Sequence, residues 1–231
     1  MADIASHELH RTEGRVGSPA LLAAAVALFI LSVLEVVALG AAPRAADGGP
    51  QVVAWFREHG SAVRWWTWII TVVSPIYAVV IALLRRLLPA PHRDVFLIGA
   101  IGLGVTNAVQ AWVWGGLALH ADRLEPATAR TMLDVAVFWA PVLTGATTTM
   151  MAPVALLALR GRGGLPRWLG VLSLVAFVEQ AIETATIFGS TGFTEPGGPM
   201  NMQVGAPLTI VWLIAFALWG GLRGRQADGA G

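Results

Sequence analysis

The chain alternates between long apolar runs and shorter polar segments that carry most of its arginines. A helix needs about 20 apolar residues to cross the hydrocarbon core of a bilayer. Six runs meet that requirement: residues 19–41, 65–84, 94–119, 131–159, 167–189 and 204–222. The pattern predicts an all-α, polytopic membrane helix bundle of six transmembrane helices. Around it lie an N-terminal tail over 1–18 and a short tail over 223–231, leaving 19–222 as the helical domain. The third and fourth runs are longer than a crossing needs, so they should tilt or extend beyond the core. Between the first two runs, "QVVAWFREHG" (51–60) groups Val52, Val53, Trp55 and Phe56 among polar neighbours and predicts a short helix lying on the membrane surface. Pro75, Pro141 and Pro153 fall inside runs, where each should kink or locally open its helix.

Composition strengthens this picture. Only 13% of the 231 residues are charged and 56% are hydrophobic, whereas a soluble domain carries roughly 25% charged residues. Lipid is the natural solvent for such a chain. The net charge of +1 offers no nucleic-acid footprint. The absence of cysteine excludes disulfides, thiolate metal sites and cysteine nucleophiles together. "HELH" (7–10) lacks the spacing of a zinc-binding HExxH pair, so no metal is expected there.

All fifteen cationic side chains are arginine, which with the abundance of Ala, Gly and Pro suggests a high-GC bacterial genome. Ten arginines fall in the two tails and the second and fourth loops, and five on the other side. The positive-inside rule then puts both termini in the cytoplasm, in a bacterial cytoplasmic membrane. Trp65, Trp66, Trp68, Trp112 and Trp114 mark the outer interface, and Trp168 and Trp219 the inner one.

Candidate chemistry follows from depth. In "FVEQAIETATIFG" (177–189), Glu179 and Glu183 stand one turn apart, separated by about 6 Å along the axis. An acid near the centre of a membrane helix costs roughly 2.5–3.5 kcal/mol, and apart from Arg167 at the very start of the fifth span no Arg or Lys lies within the spans to offset it. Glu35 in the first span, Asn107 and Gln110 in the third, and Asp134 near the outer end of the fourth lie at similar depth. Glu179, Glu183, Glu35 and Asp134 are therefore candidate catalytic acids and bases. Asn107, Gln110, Trp112, Trp114, Trp139 and Phe188 are candidate lining for a substrate. Each has a plainer reading: an intramembrane amide often joins helices, and Asp134 could cap its helix or reach the interface.

Around "LPRWLG" (165–170), "FG" (188–189), "GF" (192–193) and "PGGPMN" (196–201) the sequence resembles a broad group of uncharacterised multi-pass membrane proteins of high-GC bacteria. This resemblance covers about the last third and implies topology without an activity. In size, helical architecture and embedded acids the chain is also similar to small integral-membrane terpene cyclases, a resemblance of architecture that rests on no shared motif.

Three functions fit these residues. An acid in an apolar pocket could start the cyclisation or isomerisation of a prenyl or terpenoid substrate, with a neighbouring carboxylate removing a proton at the end. This chemistry requires neither cofactor nor metal, and its partners would be a lipophilic small molecule and the membrane lipids. The same pocket could bind or sense a lipophile without converting it. A proton-coupled transporter is the third reading and would call for a homo-oligomer.

Overall fold

The computed structural model of the protein describes residues 19–39 and 42–228; the tail with "HELH", Gly40, Ala41 and 229–231 lie outside the described residues. Seven α-helices and several short helical turns follow one another, with no strand among the described residues. They are α1 (Pro19–Leu39), α2 (Gly49–Arg85), α3 (His92–Leu119), α4 (Pro126–Val137), α5 (Trp139–Leu159), α6 (Arg167–Glu183) and α7 (Ala206–Asp228). Helical turns at Thr184–Phe188 and Gly192–Thr194, then a π-helical turn at Met200–Gly205, connect α6 to α7. Five helical stretches are long and apolar enough to cross a membrane: Gly49–Arg85, His92–Leu119, Pro126–Leu159, Arg167–Phe188 and Met200–Arg223. The sixth, α1, is apolar along most of its 21 residues.

The long apolar helices form a closed ring. α1 packs on α2, α2 on α3, α3 on α5, α5 on α6, and α7 sits between α6 and α1. Small residues permit the tight crossings. A Cβ on Gly99 of α3 would lie 2.5 Å from the backbone nitrogen of Met150 in α5, so only glycine fits this approach. Outward positions are apolar too, including Val105 and Val109 on α3 and Val171, Val175 and Val178 on α6.

Residues 51–60 do not form a separate surface helix. They are the start of α2, whose 37 residues extend about 55 Å, well beyond a hydrocarbon core of about 30 Å. Val52, Val53, Phe56, Val63, Trp66 and Ile70 recur at helical spacing across the supposed boundary and are all buried. The overhanging turns pack with Ala129, Leu133 and Ala136 of α4 into a core of their own at one end of the ring. A second core, with Phe96, Met150, Met151, Trp212 and Phe216, fills the other end.

The prolines differ in effect. The helix breaks at Phe138, dividing α4 from α5. Pro141 explains this break, because it has no N–H to donate to the Val137 carbonyl. Pro75 and Pro153 sit within uninterrupted helices. α7 runs on to Asp228, so the tail from 223 begins as helix.

Arginines tie down both ends. At one, Arg85 Nη2 lies 2.9 Å from Asp94 Oδ1, and Arg223 Nη1 donates to the Gly164 carbonyl at 3.1 Å. At the other, Arg57 donates to the Ala121 and Asp122 carbonyls at 3.3 and 3.1 Å. There Arg130 joins α4 to the α1–α2 loop through the Asp47 carbonyl at 2.7 Å.

Candidate functional site

A partly open cavity of about 520 Å³ lies within the ring beneath the α2–α4 end. Its walls come from all seven α-helices and from the connection between α6 and α7. Most of the wall is apolar: Leu28, Ile70, Val73, Leu103, Leu143 and Leu213 are representative. The aromatic lining is Trp66, Tyr77, Trp114 and Trp139. Tyr77 is fixed by donation from its hydroxyl to the Ala100 carbonyl at 2.8 Å.

Glu183 reaches this cavity from the last turn of α6 and is only 3% exposed. Amides engage both of its oxygens. Gln180 Nε2 donates to Oε2, and Asn201 Nδ2 donates to Oε1. Gln180 is oriented in turn by Thr147, whose hydroxyl donates to its Oε1. Asn201 is held by the Gly197 backbone N–H, which donates to its Oδ1 at 2.9 Å. A Cβ on Gly205 would overlap Glu183 Oε2, so the glycine ending the π-helical turn makes room for the carboxylate. Hydrogen bonds to a charged acceptor are stronger than neutral ones, at about 1.5–3 kcal/mol each. The arrangement thus fixes a carboxylate at the edge of an apolar space.

A second acid lines the same cavity. Glu195, on the connection between α6 and α7, is 1% exposed and neither of its oxygens has a hydrogen-bond partner. The Arg44 Nε lies 4.0 Å away. An uncompensated buried carboxylate is costly, so Arg44 is the nearest charge that offsets it.

The residues expected from sequence divide into two groups. Glu183, Asn107, Gln110, Trp114 and Trp139 share the cavity lining. Glu179, half-buried one turn below Glu183, does not line it; it meets Glu183 through the Gln180 amide, which donates to Glu179 Oε2 at 2.9 Å. Asp134 is also outside the cavity and forms an ion pair with Arg130 four residues earlier. Trp112 and Phe188 point away from the bundle, at 79% and 90% exposure. Glu35 belongs to α1, but its side chain lies outside the described residues.

Sequence reasoning missed Gln180, Asn201 and Glu195. Gln180 lies between the two glutamates that drew attention. The other two occur in "GFTEPGGPMN", whose Gly and Pro content indicates a turn-rich outer loop, a connector or a lid, without singling out either side chain. In the fold this segment forms part of the cavity wall, through Glu195, Gly197, Gly198, Pro199 and Asn201.

Comparison with known protein families, with curated proteins and with solved structures finds no match to the chain.

Proposed function

We propose that the protein is a multi-pass membrane protein, with both termini in the cytoplasm of a bacterial cell, that acts on a lipophilic small molecule by acid–base chemistry in its central cavity. The observation carrying this reading is a buried carboxylate, Glu183, fixed by two amides at the edge of an apolar lumen. Acid-initiated cyclisation or isomerisation of a prenyl or terpenoid substrate uses these features together. The proton that starts the reaction is balanced by the proton lost at its end, so the product is an isomer of the substrate. Glu183 and Glu195, the two carboxyls of the lining, carry the two halves of that exchange. A carbocation passing between them is stabilised by the faces of Trp114 and Trp139 through the ring quadrupole. Apolar walls keep water from trapping it. At about 30 Å³ per water-sized group, the lumen holds on the order of 15–20 non-hydrogen atoms, a size that suits a short prenyl chain.

The test uses cells expressing wild type or Glu183→Gln, supplied with prenylated aromatic epoxides. Chromatography with mass detection should reveal a product of unchanged mass and altered retention in wild type only. Absence of that product in wild type would remove the catalytic reading. A second reading, retention of a lipophile without conversion, draws on the amide engagement of both Glu183 oxygens. Under it an unaltered lipophile would co-purify with the protein.

A further inference from the structure

On α3, Asn107, Gln110 and Trp114 follow one another at helical spacing and all face the lumen. They span about 10 Å of the helix axis. Gln110 and Trp114 are more than nine-tenths buried. Among the described residues none of the three side chains has a hydrogen-bond partner, and Trp114 Nε1 is sealed from solvent. Some of the surrounding polar groups find partners, whereas Glu195, like the α3 stripe, does not. Tyr77, Thr147, Gln180 and Asn201 all bond within the protein. Within the α3 stripe the sealed Trp114 N–H without a partner costs about 1–3 kcal/mol. Joining helices does not explain the stripe, since these amides bond to no neighbouring helix.

We infer that Asn107, Gln110 and Trp114 form the head-group subsite of the lumen, and that the ligand is a lipophile bearing a hydrogen-bond-accepting oxygen, of hydroxyl or carbonyl type, rather than a bare hydrocarbon. The chemistry of the donors sets this class. An indole N–H can only donate, so the head group accepts from Trp114. The two amides both donate and accept, so they serve a hydroxyl or a carbonyl equally well. Leu103, Val73 and Leu213 elsewhere in the lining provide the apolar surface for the chain. The inference rests on the proposal that the lumen takes a prenyl-type molecule and adds which end of it is recognised, and by what.

Farnesol and its dehydration product farnesene share a prenyl chain and differ in a terminal hydroxyl. Binding of each is measured to wild type, Trp114→Phe, and the Trp114→Phe/Gln110→Leu pair in lipid nanodiscs, with uptake by empty nanodiscs subtracted. Wild type should favour farnesol by about tenfold, the value of one or two hydrogen bonds. The double substitution should bring the ratio of farnesol to farnesene binding close to one. Trp114→Phe keeps the ring packed against Trp55, Phe56 and Trp66, so it tests the lost N–H even where the double variant fails to fold. Equal binding of the two probes to wild type would overturn the inference and leave the lumen reading standing, as would a preference that survives loss of the indole N–H. Failure of both probes to bind above empty nanodiscs would overturn the lumen reading itself.

Discussion

The Asn201 amide serves three partners, accepting from the Gly197 N–H and donating to Glu183 and, at 3.4 Å, to the Thr186 hydroxyl. Asn201→Ala would leave a buried carboxylate oxygen and a backbone N–H unpaired, at a cost of about 1–3 kcal/mol for each group. A clear fall in the thermal unfolding midpoint of purified protein is expected; an unchanged midpoint would show that the bridge does not hold the connection over the cavity. Gly205→Ala should be harmful by another route, because its methyl would occupy the position of Glu183 Oε2. Overpacking of this kind costs about 1–3 kcal/mol, and combining it with Glu183→Ala should recover much of the loss. Sequence alone could not supply these details. Trp112 and Trp114 stand two residues apart, yet one faces outward and the other lines the lumen. Their hydropathy is the same, and only the neighbouring helices decide between them.

At the scale of elements, apolar runs located the helices because length and composition are local properties. The continuation of α2 was obscured by Arg57, Glu58 and His59, which lower the mean hydropathy without breaking the stripe through Val53, Phe56, Val63 and Trp66. Arg130 and Asp134 could have been paired from their i, i+4 spacing, a relation that places both on one helix face. Glu125 offers a test with a defined sign. Its carboxylate caps α4 by accepting the Thr128 N–H at 2.9 Å. Backbone hydrogen bonds from Thr128 and Ala127 hold its pKa below the ordinary glutamate value. A lowered folded-state pKa contributes stability that is present above the unfolded value and lost as pH falls through the folded one. Glu125→Ala should therefore be less stable than wild type at neutral pH, with the difference closing below the carboxylate range. A gap that stays constant in acid would contradict the cap.

For the whole molecule, the ring of six helices gives a lumen with one polar margin. Glu183, Gln180, Asn201 and Glu195 lie along it, assembled from α6 and the connection to α7. Hydropathy located the long apolar helices but not their order, which depends on contacts such as that of Gly99 with α5. The proposed orientation can be tested in a chain with no native cysteine. A cysteine introduced at Gly161 should react in intact cells only with membrane-permeant reagents, and one at Gly192 also with impermeant ones. The reverse pattern would invert the topology.

The most direct test of the lumen as the working site is photolabelling with a prenyl chain carrying a diazirine, followed by peptide mapping. Labels are expected on lumen residues such as Leu103, Trp114, Leu143 and Leu213, and excess farnesol should suppress them. Labels confined to outward residues such as Val105, Val109, Trp112 and Phe188, and insensitive to competitor, would mean that the molecule meets lipophiles only as it meets lipid.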